Sequence, residues 1–518
     1  MKKIYNKIKI IVLAAFVLPL ATSCLEKYPS SAIPEEDAMQ TVNDAEQLLN
    51  GIYATLKSSA LYSGYLTLLP DIQSDMVMAV EGNTNTYGNF WRWTVRSTDS
   101  EIEAVYGSLY SVIGNCNFFL DNIDLLKNRI TDDDALDLLD IYTGEVLAIR
   151  AMCYSDLLKL YCKAYDPATA AQNPGIVIRT KYFEKEPVVR ASLEDSYAFV
   201  ISDLERAESL LSDEEDDNVS NSIFFTLSAA QALHARVALY MQDWDKAIEY
   251  SSKLIDERRS AYRLSSVRGT APDGASLFDY MWAYDVGTEV IWRIGFTSTS
   301  YGGALGQVFL NYTNDYTYYY PDYVPSLAVL NSFENGDERD DAYFADSSQG
   351  IVIGYSNGMT WPVVVKYYGN RTLVSSYIFH VSMPKVFRLA EQYLIRAEAY
   401  CRTSQFAKAS SDLTTLRQAR FTSGGGITVN DGNWLKTVAD ERMKELYMEG
   451  FRLHDLKRWG QEYADVNNGY SINRTSQIYA QSEGSELKIL PDNPLFVWPI
   501  PQHEIEAPGA NLTPNESN

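Results

Sequence analysis

Two stretches of this chain carry small and aromatic residues at the same spacing, although they lie 162 residues apart. In the first, Ala235, Trp244 and Ala247 fall along two helical patterns that are separated by a short turn. The second stretch repeats the spacing at Ala397, Phe406 and Ala409. Small residues at such positions let two antiparallel helices approach closely, so the spacing predicts a pair of helical hairpins.

A third, weaker echo lies earlier in the chain, where Ile149-Arg150-Ala151-x-x-Tyr154 matches Ile395-Arg396-Ala397-x-x-Tyr400. Three echoes on helical patterns predict a mainly α fold built from tetratricopeptide-like hairpins. Long insertions separate the hairpins, at about 61–98 and 261–383. They are rich in Gly, Asn, Thr and aromatic residues, which predicts loops and short strands outside the helical scaffold. Within the longer insertion, 289–296 and 361–368 are predicted strands, with Trp292 in the core.

The N-terminus has the pattern of a secretory signal. Lysines at positions 2, 3, 7 and 9 precede an apolar run, Ile10–Leu20, which is too short to span a bilayer. Small residues lie directly before Cys24, an arrangement that resembles a bacterial lipobox. We therefore expect cleavage before Cys24 and lipidation of its thiol; an ordinary signal peptide with an incidental cysteine is the alternative. The predicted division is a signal peptide at 1–23, a lipid-anchored tether at 24–40 and one domain at 41–518.

The charge of the chain disfavours some partners. It has 68 acidic and 44 basic residues, a formal charge of −24, and cleavage would remove four lysines and no acids. This argues against nucleic acid and against a polybasic membrane patch, so the lipid is the expected membrane contact. The other cysteines lie in apolar helical patterns without a CxxC pair, which indicates buried thiols rather than disulfides or a metal site. They are Cys116, Cys153, Cys162 and Cys401.

The segment Val438–Gly460 combines an apolar helical face with many charges. Apolar residues recur at i, i+3 and i+4 from Met443, and Gly450 then interrupts the helix. Two interpretations are open: a solvent-exposed charged face, or a partly buried ionic network that joins the helices on either side of Gly450. The charges concerned are Glu445, Glu449, Arg452, Asp455 and Arg458.

Signatures of catalysis are sparse. The four histidines lie on different predicted elements, and the sequence contains no HExxH, GxSxG, Walker A or GxGxxG motif. We expect neither a cofactor nor a metal site. A glycosidase-like carboxylate pair stays open as an alternative, because such a pair is recognised by a measured separation. The expectation is a binding protein rather than an enzyme.

Aromatic residues are the most informative group, because they make up 13% of the chain and are frequent in the insertions. A ring face can stack on the C–H face of a sugar, and neighbouring polar groups can bind its hydroxyls. For any single tryptophan, packing in the core is the competing interpretation. The candidate stacking residues are Trp91, Trp93, Trp282, Tyr284 and Tyr318. The candidate polar contacts are Asn89, Arg92 and Asp285.

Several segments, taken in order, resemble the SusD/RagB family of outer-membrane nutrient-binding lipoproteins. They are NGIYATL, GEVLAIRAMCYSDLLKLY, the Ala235–Ala247 hairpin, FRLAEQYLIRAEAY, Val438–Gly460 and FVWPIP. No one motif decides the resemblance, whereas their order and spacing are specific and cover nearly the whole mature chain. The resemblance implies one mostly helical SusD-like domain with four tetratricopeptide-like hairpins and a loop-rich ligand face.

The resemblance also implies a function. Proteins of this family are lipid-anchored at the cell surface, capture glycans and close over a SusC-like TonB-dependent transporter in the outer membrane. Two alternatives stay open: capture of peptides or glycopeptides, as in the RagB branch, and a lipid-anchored tetratricopeptide scaffold without a small ligand. The ligand positions of the family vary too much to be transferred, so the candidate site depends on the local aromatic pattern.

Overall fold

Helices form most of the ordered scaffold, as the periodicity predicts. The computed structural model describes residues 38–80, 86–183, 188–211, 220–312, 318–353, 361–375, 377–474 and 487–518. Residues 1–37, which include the predicted lipobox and Cys24, lie outside this range, so the signal peptide and tether stay predictions. No helix among the described residues is both long enough and apolar enough to cross a membrane.

The helices differ widely in length, and the longest stand in the N-terminal half. In chain order they are α1 (Val42–Leu56), α2 (Tyr65–Ile72), α3 (Gly88–Trp91), α4 (Ser100–Lys127), α5 (Asp133–Tyr161), α6 (Leu193–Leu210), α7 (Leu227–Tyr240), α8 (Trp244–Ser252), α9 (Leu277–Tyr284), α10 (Leu327–Leu330), α11 (Arg339–Tyr343), α12 (Leu389–Arg402), α13 (Phe406–Arg420), α14 (Trp434–Glu445), α15 (Arg452–Val466) and α16 (Gln502–Glu506). The mainly α fold class is thereby confirmed.

The predicted hairpins are formed by α7 with α8 and by α12 with α13. Ala235 and Ala247 are fully buried where the first hairpin closes, in a small core that α12 completes. Ala397 and Ala409 are fully buried in the main core. Because a larger side chain at these positions would hold the helices apart, the four alanines permit the close approach that their spacing predicts.

The third echo corresponds to a repeated ion pair between neighbouring helices. Arg150 of α5 donates through Nε and Nη2 to both oxygens of Asp203 in α6, at 2.7 and 2.8 Å. Arg396 of α12 binds Asp412 of α13 in the same way, at 2.8 Å each. A bidentate pair fixes both the distance and the orientation of two helices, which is why the arginine recurs at the matching position.

Short antiparallel strands join the insertions to one another. The pairs are β1 with β3, β2 with β6, β4 with β5, and β7 with β8. Their bounds are β1 (Val77–Ala79), β2 (Val290–Trp292), β3 (Tyr323–Pro325), β4 (Phe344–Ala345), β5 (Val363–Val364), β6 (Phe387–Arg388), β7 (Ile472–Arg474) and β8 (Leu487–Ile489). β2 and β5 lie within the two predicted strands, and Trp292 is fully buried as predicted.

The 61–98 insertion differs from its prediction as a loop-rich segment outside the scaffold. It contains α2, β1 and α3, and almost all residues from 60 to 80 are buried. Its apolar residues, in YLTLLPDI and MVMAV, outweigh its Gly and Asn content, because burial of so many aliphatic side chains is strongly favourable. This insertion is therefore part of the core.

The charges of Val438–Gly460 form a buried network, so the interpretation as an exposed face is wrong. Glu445 is fully buried and accepts hydrogen bonds from Arg388, Arg420 and Arg339. Further buried or partly buried pairs join the same region to neighbouring elements. They are Arg452 with Asp75, Arg442 with Asp455, Arg458 with Glu398, and Lys366 with Glu449.

The last segment packs across the fold, as its prolines indicate. Trp498 is fully buried, its backbone N–H donates to Leu160 O at 2.8 Å, and its Nε1 donates to Gln73 Oε1 at 2.8 Å. The four cysteines of the described chain are buried free thiols, which confirms that prediction.

Candidate functional site

A cleft lined by tyrosines opens on the longer insertion. We call it the tyrosine cleft and define it by its aromatic lining, Tyr301, Tyr312, Tyr377, Phe379 and His380. Its volume is about 460 Å³. Tyr377 is 91% exposed and Tyr301 is 42% exposed, so rings at its mouth are accessible from solvent. Gln307 and Asn311 add amide groups to the wall.

Two chain segments distant in sequence build the cleft. Residues 301–312 and 377–381 are held together by the hydrogen bond from Gly306 N–H to His380 O, at 3.2 Å. A Cβ at Gly306 would lie 1.9 Å from Tyr367 O, so this close backbone approach requires glycine. His380 has a φ of +58°, a left-handed conformation that turns the chain at the base of the cleft.

Two lining rings of the cleft, those of Tyr312 and His380, pack in one group with the neighbouring rings of Tyr319 and Tyr368. The ring of Tyr312 stacks on His380 with centroids 4.9 Å apart, and it lies 4.8 Å from Tyr319. The hydroxyls of Tyr319 and Tyr368 are 2.9 Å apart. Packing of this kind holds ring faces in fixed orientations, which lowers the conformational entropy that these side chains lose when a ligand binds.

Ionisation in the cleft is suppressed by burial. Burial raises the pKa of the Tyr312 and Tyr319 hydroxyls above their ordinary value, and the hydrogen bond to Tyr368 raises that of Tyr319 further. Burial also lowers the pKa of His380, although backbone carbonyls act in the opposite direction. The cleft therefore presents neutral aromatic and amide groups at pH 7, which suits a ligand rich in hydroxyls.

Comparison with known proteins assigns the chain to a family. Residues 341–516 match the model of the SusD family, and residues 25–239 match the model described as starch-binding associating with outer membrane. The two matches together span well over half of the chain. The chain belongs to the SusD/RagB family.

Individual relatives agree in length and fold. SusD-like protein P25 of Formosa agariphila is 22% identical over 508 residues, covering 88% of this chain and 90% of the relative. A SusD superfamily structure from Bacteroides thetaiotaomicron is 22% identical with a TM-score of 0.75, and the match covers 92% of this chain and 99% of that one. A laminarin-binding SusD-like protein is 19% identical with a TM-score of 0.67, covering 93% and 100%.

In this SusD/RagB chain, the expectation that Trp91 and Trp93 are exposed is wrong. They are 3% and 7% exposed, and their Nε1 groups donate to the backbone oxygens of Val77 and Gln73. Trp93 has a φ of +57°, which turns the chain so that its ring packs on the C-terminal segment, 4.9 Å from Phe496. Polar loop sequence suggested exposure, but the rings fill the space between two distant segments.

The polar neighbours of these tryptophans are partly buried. Asn89 donates to Asp99 Oδ2 at 2.7 Å, which ties the short helix α3 to the start of α4. Arg92 is half-buried. Neither residue lines the tyrosine cleft.

Trp282 and Asp285 are also buried, which corrects the second part of the predicted site. Trp282 is 6% exposed, and Nζ atoms of Lys366 and Lys385 lie 4.2 and 4.4 Å from its ring. Asp285 is fully buried and forms an ion pair with Lys385 at 2.5 Å. These residues stabilise the core by cation–π and ionic contacts, and neither lines the tyrosine cleft.

The two predicted tyrosines keep solvent contact. Tyr284 is half-buried, stacked on Tyr280 at 4.4 Å, and is not part of the cleft lining. Tyr318 is 41% exposed and precedes Tyr319, whose ring packs on Tyr312. Whether either binds a ligand stays a prediction.

Sequence reasoning missed Tyr301, Tyr377 and Phe379. Tyr301 stands alone among Ser, Thr and Gly, and Tyr377 and Phe379 flank one isoleucine in a short apolar run. Nothing local shows that these segments, about 70 residues apart in sequence, meet. A usable signal existed only at the level of the whole insertion, which is rich in aromatic and polar residues. Among the described residues, no cluster of three or more His, Cys, Asp or Glu could hold a metal ion.

Proposed function

We propose that this chain is a cell-surface lipoprotein that binds an oligosaccharide or polysaccharide and delivers it to a SusC-like TonB-dependent transporter. The observation that carries the proposal is the tyrosine cleft, whose neutral ring faces and amides are open to solvent. Such a surface matches the C–H faces and hydroxyls of a sugar chain. A laminarin-binding relative with the same fold and a family described as starch-binding support it.

The binding experiment uses the chain from Leu25 onward, titrated by calorimetry against laminarin and a panel of plant, host and microbial glycans. We expect Tyr377→Ala and Tyr301→Ala each to weaken binding about 10- to 100-fold, because they remove exposed stacking faces. Phe183→Ala is the matched control, since Phe183 is 75% exposed and lies outside the cleft. Its affinity should equal that of the unmodified chain.

Two outcomes would contradict this assignment. If both tyrosine variants bind a glycan with unchanged affinity, the site lies elsewhere. If no glycan binds but peptides do, the chain is a peptide-capturing protein of the RagB kind. Unchanged circular dichroism and thermal midpoints would show that the variants fold.

The anchor and the transporter are tested in the native organism. Cys24 is the proposed lipidation site, with residues 24–40 as tether and 41–518 as the binding domain. We expect the full chain to copurify from outer membranes with a TonB-dependent transporter and to be cleaved when protease is added to intact cells. Cys24→Ala should move the protein out of the membrane fraction. Absence of any transporter in the copurified material would favour a scaffold role.

A further inference from the structure

Arg474 at the end of β7 differs from the other buried arginines described above. Arg452 pairs with both oxygens of Asp75, each at 2.8 Å, whereas Arg474 forms no ion pair with a carboxylate among the described residues. It is 3% exposed and donates only through Nη2, to Trp91 O at 2.5 Å. Its Nε and Nη1 have no hydrogen-bond acceptor within the described part of the chain.

A buried guanidinium without an acceptor is costly, because its N–H groups have lost water and gained nothing in return. The ring of Trp91 lies 4.5 Å from Arg474 Cζ and offsets part of this cost. The Nε and Nη1 donors of Arg474 still lack an acceptor oxygen. Groups left in this condition are candidates for ligand binding, since a ligand that supplies the oxygen gains the full benefit.

Arg474 lines a cavity of about 260 Å³ together with Asn473, Asn331 and Ser326. Asn331 is exposed and Asn473 is half-buried. Both side chains carry an amide, which can donate and accept hydrogen bonds. This volume is below the range of about 300–1,000 Å³ that is usual for drug-sized ligands, so the cavity suits one sugar unit or one end group.

The charge around the cavity is positive. Asp75 also lines it and attracts the Arg474 guanidinium, but both of its carboxylate oxygens already bind Arg452. Arg452 and Arg474 therefore bring two positive charges against the one negative charge of Asp75. Burial lowers the pKa of Arg474 to about 9, and Asp75 acts in the opposite direction. The guanidinium is therefore still cationic at pH 7, in a chain whose overall charge is −24.

We propose that this cavity binds the carboxylate of an acidic sugar, a uronate, through Arg474 with support from Asn331 and Asn473. A planar guanidinium matches a planar carboxylate, and the amides can donate to the same group or bind ring hydroxyls. The choice of a sugar as the carrier of the carboxylate rests on the proposed function. The cavity shares no lining residue with the tyrosine cleft, so it is a second, separate subsite.

The test uses D-glucuronate as the probe, with D-glucose as the neutral match. The Nε1–H of Trp91 gives a local NMR signal, because its ring lies against the Arg474 guanidinium. In the chain from Leu25 onward, glucuronate should shift this signal saturably and glucose should not. Arg474→Lys, which keeps the charge, and Asn331→Ala, at an exposed position, should each weaken glucuronate binding at least about 10-fold. Arg263→Gln, an exposed arginine outside the cavity, should leave it unchanged.

Three results would overturn the proposal: equal binding of glucose and glucuronate, unchanged affinity in both cavity variants, or sulfate binding as tightly as glucuronate, which would make the site a general oxyanion site. The proposed function can fail or hold separately. Binding of a neutral glycan at the tyrosine cleft should be weakened by Tyr377→Ala and unchanged in Arg474→Lys. Binding of glucuronate should be weakened by Arg474→Lys and unchanged in Tyr377→Ala.

Discussion

Glu445 is the residue on which the buried ionic network converges. Its carboxylate accepts from Arg388 at 3.0 Å, from Arg420 at 2.9 Å and from Arg339 at 3.1 Å. Burial alone would raise the pKa of Glu445, but attraction by Arg420 and Arg388 outweighs it and holds the pKa well below its ordinary value. The carboxylate of Glu445 therefore offsets the positive charge of arginines that belong to three different elements.

We expect Glu445→Ala to lower the free energy of unfolding by about 3–5 kcal/mol, because three buried arginines each lose one charged acceptor. Urea denaturation, followed by circular dichroism, measures the loss. The matched control is Asp440→Ala in the same helix. Asp440 pairs with Lys436 near the surface, so the expected change is within about 0.5 kcal/mol. Equal, small losses in both variants would show that the network contributes little stability.

At the scale of elements, the connection between α14 and α15 depends on Gly450. Its φ is +84°, and its N–H donates to the buried carboxylate of Asp71 at 2.9 Å. A Cβ at this position would lie 2.3 Å from Leu66 O in α2. The turn therefore sets both the angle between two helices and their contact with a third.

Gly450→Ala is expected to lower the free energy of unfolding by at least about 1–3 kcal/mol. The new Cβ would clash with the backbone of α2, and a residue with a side chain rarely adopts the positive φ of this position. Gly51→Ala is the control. Gly51 lies inside α1 with open space around the Cβ position, so alanine should stabilise by about 0.5–1 kcal/mol. Thermal unfolding should thus shift in opposite directions for the two variants. A shift in the same direction would contradict the strain argument.

At the scale of the whole molecule, buried carboxylates make stability depend on acid. Burial alone would raise the pKa values of Glu398 and Glu441, but neighbouring arginines dominate and lower each to about 2, from an ordinary value of 4.5. Between these values the unfolded chain takes up protons and the folded chain does not. Stability is therefore complete above pH 4.5 for these groups and is lost as the pH falls toward 2.

We expect the free energy of unfolding to decrease steeply between about pH 4.5 and pH 2, as measured by urea denaturation at a series of pH values. Glu398→Gln should reduce the slope of this decrease by the contribution of up to about one bound proton, because glutamine does not titrate. An acid dependence that is unchanged in the variant would assign the effect to other carboxylates. The opposite sign, greater stability in acid, would contradict the ion pairs themselves.

The hairpins could be predicted from the sequence, because helix periodicity and small-residue spacing are local properties. Ala235 and Ala247 are separated by 12 positions and meet across one turn, so their pattern is visible without any other part of the chain. The same applies to the cap of α6, where the side chain of Ser192 accepts from Asp195 N–H, because a capping serine acts on its own helix. The two matching bidentate arginines extend this logic to neighbouring helices.

Which aromatic and charged residues face solvent follows from the tertiary structure alone. Trp91 and Trp93 stand in a polar stretch and Trp282 lies between two aspartates, yet all three fill the core. Tyr301 and Tyr377, which had no local signal, line a cleft. Arg474 has no ion-pair partner among the described residues, because both oxygens of Asp75 bind Arg452. Exposure and pairing depend on which distant segments pack together, and side-chain type does not encode that packing.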